Sequence, residues 1–172
     1  VTEAAGVPQQ IHNLCDRRIG ASARADEIKV PYVGSEGIAV TYVPARYAVV
    51  VWLGLACGGG VGAEGVVSGG GAVGYSGYPD CRPEFIEAYQ AMARLATKAA
   101  VEGAGMTIHT PLIDLTKAEI IQAGDQLGVD YALTVSCYQA DRECRACGVF
   151  DSCLIRKEGF QSAGVPDPTK YR

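Results

Sequence analysis

Glu64-Gly-Val-Val-Ser68, Gly69-Gly-Gly-Ala-Val-Gly74, Tyr75-Ser-Gly-Tyr-Pro-Asp-Cys-Arg-Pro-Glu-Phe85 and, further on, Met106-Thr-Ile-His109 decide how this chain folds. The first segment is a short apolar strand. The second and third form a loop rich in glycine and tyrosine. The loop runs into a helix over residues 83–100, with Pro83 and Glu84 in its first turn, where helix starts prefer them. Phe85, Ala88, Tyr89, Met92, Leu95 and Ala96 recur at helical spacing and predict one apolar face. The last segment is a second strand. Strand, helix, strand in that order argues for an α/β protein, a parallel sheet flanked by helices. Ligands in such sheets sit at the carboxyl ends of the strands, and the loop after Ser68 holds that place.

Upstream, residues 9–14 and 38–43 read as strands, the latter stopped by Pro44. Residues 17–37 read as a long charged connection, and residues 46–56 as a buried helix. Downstream, Thr116-Lys-Ala-Glu119 has the form of a capping box and opens a helix reaching Gly128. Residues 131–135 read as a strand, residues 151–162 as a last helix, and residues 165–172, with two prolines, as an extended arm. The expected organisation is an α/β domain over residues 1–134 and a cysteine-rich segment with its arm over residues 135–172. The opening Val1-Thr-Glu-Ala-Ala-Gly-Val-Pro8 reads as the end of a helix entering a strand, as though an element precedes it.

The chain has 172 residues, 48% apolar and 20% charged, with a net charge of −4. That suits a globular protein with a real core. The acidic balance offers no basic footprint for nucleic acid. No apolar run reaches the roughly 20 residues a membrane span requires. Seven cysteines, an odd count with no signal peptide, point to a reducing compartment, the cytoplasm.

Four of the seven are clustered as Cys137-x6-Cys144-x2-Cys147-x5-Cys153. Zinc favours four soft ligands in a tetrahedron, and a Cys-x-x-Cys turn supplies two from one knuckle. Free buried thiols and a redox pair are the alternatives. In Tyr75 to Asp80, two tyrosines can stack on a flat base, glycine admits close backbone approach, and Asp80 can pair with ring N–H groups; an ordinary aromatic turn uses the same residues. Lys117 at a helix start suits phosphate or pyrophosphate, as well as a solvated first turn. His12 and His109 stand alone and read as structural.

Taken together, Tyr75 to Phe85, Thr41-Tyr-Val-Pro-Ala-Arg46, Thr110-Pro-Leu-Ile-Asp-Leu-Thr-Lys-Ala-Glu-Ile120, Val135-Ser-Cys-Tyr138 and Gly164-Val-Pro-Asp-Pro-Thr169 resemble the 7-cyano-7-deazaguanine synthases, a family of the PP-loop ATP-pyrophosphatase superfamily. The resemblance implies an adenine nucleotide alpha hydrolase-like fold with a C-terminal zinc-binding helical subdomain. It implies an ATP-dependent ligase that adenylates 7-carboxy-7-deazaguanine and uses ammonia to form the nitrile in queuosine biosynthesis. A four-cysteine zinc site and a homodimer come with it. On this reading Lys117 faces pyrophosphate and Arg46 lies near the nucleotide. Tyr75, Ser76, Tyr78 and Asp80 line the substrate side, with Lys117 and Asp80 catalytic. The family's Ser-Gly-Gly-x-Asp-Ser loop has no counterpart here, as if the first strand–helix unit were missing, so this chain by itself is expected not to adenylate. A non-catalytic, zinc-stapled module for purine binding or dimerisation is the alternative. Tyr47, Gly71 and Gly74 replace polar family residues, and Phe150 stands where the family has its third cysteine. Cys144 is then expected to complete a site of Cys137, Cys144, Cys147 and Cys153.

Overall fold

The computed structural model describes residues 5–12, 38, 42–71 and 78–172. Their elements are α1 (Arg46–Val61), β1 (Gly65–Val67), α2 (Pro83–Ala96), the short α3 (Lys98–Val101), β2 (Thr107–His109), α4 (Lys117–Gln126) and α5 (Asp151–Ala163). Single 3-10 turns cover Pro79–Cys81 and Tyr131–Leu133. The chain divides into two compact units: Glu36–Leu115, and Thr116–Arg172 together with Val1–Ser35. Among the described residues, no helix is long and apolar enough to cross a membrane.

The first unit has the expected α/β form. β1 and β2 pair in parallel, with Gly65 opposite Thr107, Val66 opposite Ile108 and Val67 opposite His109. Val51 and Leu55 of α1, Ile86 and Ala93 of α2, and Met106 and Ile108 form its buried core. Each of these side chains other than Ala93 contributes about 1.5–3 kcal/mol relative to exposure. α1 carries three consecutive valines and no acidic residue in its first turn. Its stability therefore comes from this packing more than from propensity.

α2 starts at Pro83 as predicted, but it ends at Ala96, and a break at Thr97 separates it from α3. Its buried face is also rotated from the predicted one. Ile86 and Ala93 are buried, while Met92 and Leu95 are exposed. The rotation brings Gln90 to the edge of β2. There its Nε2 donates to the Met106 carbonyl at 3.1 Å, and its Oε1 accepts the Ile108 N–H at 2.7 Å. One polar side chain thus satisfies strand groups that a further strand would otherwise have to pair.

In the second unit the capping box forms as read. Thr116 Oγ1 accepts the Glu119 N–H at 3.2 Å, and the Glu119 carboxylate accepts the Thr116 N–H at 2.7 Å. α4 packs on α5 at Gly159, where an added Cβ would lie 2.4 Å from Lys117 Cγ and 3.0 Å from Ile121 Cδ1. Only glycine admits so close a crossing.

Three strand expectations change. Residues 9–12 are not in a strand, and residues 13 and 14 lie outside the described residues, as does the connection over 17–37. Ile38, Tyr42 and Val43 are not in a strand either, and residues 39–41 lie outside. Tyr131–Leu133 is a 3-10 turn, because the Asp130 carboxylate accepts the Ala132 N–H at 2.9 Å and bends the backbone there. Tyr131 then lays its ring against Phe160 and donates its hydroxyl to the Ile121 carbonyl at 3.0 Å.

Gln90→Ala leaves the Ile108 N–H and the Met106 carbonyl without their side-chain partner. We expect a loss of about 1–3 kcal/mol. Thermal unfolding should show this as a fall of roughly 2–4 °C per kcal/mol.

Candidate functional site

Two groups of chemically capable residues stand out, one in each unit. In Glu36–Leu115, the first turn of α1, the residues after β1 and the Pro79–Cys81 turn converge. Arg46 opens α1, whose N-terminus lacks a side-chain cap of its own because Ala45 sits there with φ 54. Asp80, only 6% exposed, fills that role from a distance: its Oδ2 accepts the Tyr47 N–H at 3.2 Å. A carboxylate at this end complements the positive pole of the helix. Tyr78 packs on Tyr42 at a tilt of 49°, with ring centroids 5.6 Å apart. Arg46 and Asp80 are therefore drawn together at the first turn of α1, with Tyr78 next to the Pro79–Cys81 turn. Tyr75 and Ser76 lie outside the described residues.

Tyr47 is the unforeseen part of this group. Its hydroxyl is hydrogen-bonded to Ser68 Oγ, and its ring packs against Phe85. Burial pushes its hydroxyl pKa above the ordinary value, and Asp80 and Cys81 add to the rise, while the bond to Ser68 opposes it. Burial also raises the Cys81 thiol, with Asp80 adding. The ring covers Gly70 so closely that a Cβ there would lie 2.7 Å from the tyrosine oxygen. Gly70 thus has a steric reason to lack a side chain: it makes room for Tyr47.

In the second unit, Lys117 is the first residue of α4, and its stem lies on Gly159. Burial lowers its pKa, and the nearby Arg156 charge lowers it further. Arg156, itself buried, donates to Asp167 Oδ1 at 3.1 Å, Thr134 Oγ1 at 2.9 Å and the Tyr131 carbonyl at 3.3 Å. Asp167 also accepts from the hydroxyls of Thr169 and Tyr171, each at 2.7 Å. Burial pulls the Asp167 pKa upward, but these bonds outweigh it and hold the carboxyl below its usual range. The expected extended arm is fastened as well: Ala146 N–H donates to the Lys170 carbonyl at 2.8 Å, and Arg172 N–H to the Ala146 carbonyl at 3.0 Å.

This network brackets the cysteine cluster. The Sγ atoms of Cys137, Cys147 and Cys153 all lie within 4.8 Å of one another. Cys137 and Cys147 are 3.5 Å apart, and Cys147 and Cys153 are 3.8 Å apart. Cys137 Sγ accepts the Cys147 N–H at 3.4 Å. Burial would raise Cys147, but N–H groups of Val149 and Phe150 and the neighbouring thiols hold it below its ordinary value. Cys153 is pushed up to about 11, first by burial. The three thiols could hold a metal ion, which would displace their protons. Cys144 is not one of the three. It is exposed, with φ 59, in the tight turn that begins at Asp141. Phe150 is buried in the same cluster as Cys137 and Cys153. A closed structural zinc site uses four ligands; among the described residues this group supplies three, and Cys144 is not one of them.

A parallel α/β unit and a unit carrying a cysteine triad together define a helix-flanked α/β protein with a candidate metal centre. The chain belongs to the family described as "Queuosine biosynthesis protein QueC", whose model matches residues 1–164. It is 57% identical over 168 residues to the 7-cyano-7-deazaguanine synthase of Ralstonia nicotianae, covering 96% of this chain and 75% of that one. It is 61% identical over 155 residues to the protein of the same name from Aromatoleum aromaticum, covering 89% and 69%. Against that of Xanthomonas oryzae pv. oryzae it is 56% identical over 163 residues, covering 93% and 73%.

Gly70→Ala should cost about 1–3 kcal/mol through overpacking against Tyr47. In a Tyr47→Asn background the loss should shrink, a coupling that a denaturation cycle over the four proteins reads directly. Asp167 gives a pH signature. Its folded pKa is depressed, so its stabilisation is present above the unfolded value of about 3.9 and is lost as pH falls through the folded one. Asp167→Asn should lower stability at pH 7 by about 1–3 kcal/mol and flatten the decline in stability below pH 4.

Proposed function

We propose that this protein acts in queuosine biosynthesis as a 7-cyano-7-deazaguanine synthase, forming a nitrile from the carboxylate of 7-carboxy-7-deazaguanine with ammonia and ATP. The observation that carries the reading is the 57% identity over 96% of the chain to a relative so named. At that level the site segments as well as the fold come from one family. In the proposed chemistry the carboxylate attacks the α-phosphorus of ATP, pyrophosphate leaves, and ammonia displaces AMP from the acyl carbon to give the amide. The amide oxygen then attacks the α-phosphorus of a second ATP, pyrophosphate leaves again, and loss of AMP with the two nitrogen protons leaves the nitrile. Activation is needed because a free carboxylate is a poor electrophile.

Roles for the chain's own residues are assigned from the family resemblance, supported by position for those residues the structure describes. Arg46 is assigned to the nucleotide, as a fixed cation at the start of α1. Tyr75, Ser76, Tyr78 and Asp80 are assigned to the deazapurine. Asp80 also keeps one oxygen on the Tyr47 N–H, which fixes the orientation of its carboxylate. Lys117 is assigned to pyrophosphate. Its half-buried position favours this, because a partly desolvated cation interacts more strongly with a multiply charged leaving group. A metal on the cysteine triad would tie together the segments that carry it, because the binding energy of a metal is folding energy for the segments it joins. A homodimer completes the proposal.

The test is conversion of the acid to the nitrile by the protein as its gene encodes it, followed by mass spectrometry. Product should require ATP and ammonium together, and pyrophosphate should be released. Lys117→Ala should lower kcat/KM by about 10²-fold, the scale of losing one placed charge at a transition state. A protein that makes no nitrile, or a Lys117→Ala variant with unchanged kcat/KM, would overturn the respective assignment.

A further inference from the structure

The cysteine triad has a property that its membership alone does not state: its spacing. A tetrahedral ion with metal–sulfur bonds of about 2.3 Å needs sulfurs about 3.8 Å apart. The edges of 3.5 Å between Cys137 and Cys147 and 3.8 Å between Cys147 and Cys153 are close to that requirement. The Cys147 N–H also points at Cys137 Sγ, 3.4 Å away. Three corners of a tetrahedron are therefore set.

The fourth corner has no protein donor among the described residues. No further His, Cys, Asp or Glu joins the group. The side chains packed around it are Ala140, Ala146, Phe150 and Tyr171. The Tyr171 hydroxyl is committed to Asp167 at 2.7 Å. Cys144 is exposed, and its turn is set by Asp141, which accepts the N–H groups of Glu143 at 3.0 Å and Arg145 at 2.9 Å. Access comes from the side of Cys147, which is only partly buried, unlike Cys137 and Cys153.

We infer that Cys137, Cys147 and Cys153 form an open three-thiolate centre for a divalent thiophilic ion, with the fourth coordination position left to an exogenous ligand: water at rest, and a small thiol when one is present. Three protein ligands with one exchangeable position is the arrangement of reactive zinc sites, in contrast to the four-ligand closure of structural ones. The ion in this chain is correspondingly exchangeable. The inference rests on the metal-binding reading of the triad and is independent of the ligase reading.

Cobalt(II) is the probe, loaded into the whole protein under argon, because sulfur-to-cobalt charge transfer scales with the number of thiolates. The expected spectrum is that of a four-coordinate ion with three thiolates. Adding 2-mercaptoethanol should raise the charge-transfer band by about one third, as a fourth thiolate enters the free position. Cys144→Ser should leave both spectra unchanged. Phe150→Cys should show the four-thiolate band from the start, ignore added thiol and release zinc to a chelator more slowly than the parent. Circular dichroism of each variant verifies folding, and Cys144→Ala serves if the serine variant fails. A Cys144→Ser band lower by about a quarter would identify Cys144 as the fourth ligand and overturn the inference. So would a parent spectrum blind to added thiol. Absence of cobalt binding would overturn the metal reading itself, and none of these results bears on nitrile formation.

Discussion

One guanidinium fastens the segments that carry the cysteine triad. Arg156 is buried on α5, and its N–H groups reach Asp167 in the C-terminal arm and Thr134, Ser136 and the Tyr131 carbonyl before Cys137. A buried cation without such partners would be untenable, and each partner segment has little regular structure to hold it otherwise. The arm, once fixed at Asp167, lies along Ala146 through two backbone hydrogen bonds. The residue after Ala146 is Cys147, and α5 itself supplies Cys153. The three sulfurs thus come from three segments whose positions share a single charged hub.

The Glu36–Leu115 unit shows the same economy in a different form. The N-terminus of α1 has no cap in its own sequence, so Asp80, thirty-three positions away, provides one. That commits the Pro79–Cys81 turn to the start of α1 and places Tyr78 and Arg46 at the same end of the sheet. Tyr47 then bridges to Ser68, just after β1, above a glycine that must remain without a side chain. A site at the carboxyl end of a parallel strand is therefore framed by contacts made for stability, with Asp80 serving in the framing as well as in the proposed recognition.

What was legible in the sequence was mostly local. The Thr116–Glu119 capping box needs four adjacent residues, and it forms as read. Pro83 opens its helix because its constraint acts on its own backbone. β1 and β2 were visible as short apolar runs between glycines. The family was legible as well, because its motifs are contiguous. Long-range choices were not. The face of α2 turns on Gln90 meeting a strand eighteen residues later, which no periodicity encodes. The Arg156–Asp167 pair spans eleven residues and leaves no spacing signature. Tyr131 to Val135 has strand composition, yet the Asp130 side chain bends it into a turn. The cysteine cluster was obvious as composition. Which sulfurs point inward depends on backbone angles such as the positive φ at Cys144, and spacing says nothing about those.

Gln90 carries one more implication. An uncovered edge of β-structure presents a row of free N–H and C=O groups, which can recruit the strand of another molecule. With its amide laid on Ile108 and Met106, α2 occupies the very groups through which β2 would otherwise template such growth. At those two groups the side chain stands in for a neighbouring strand.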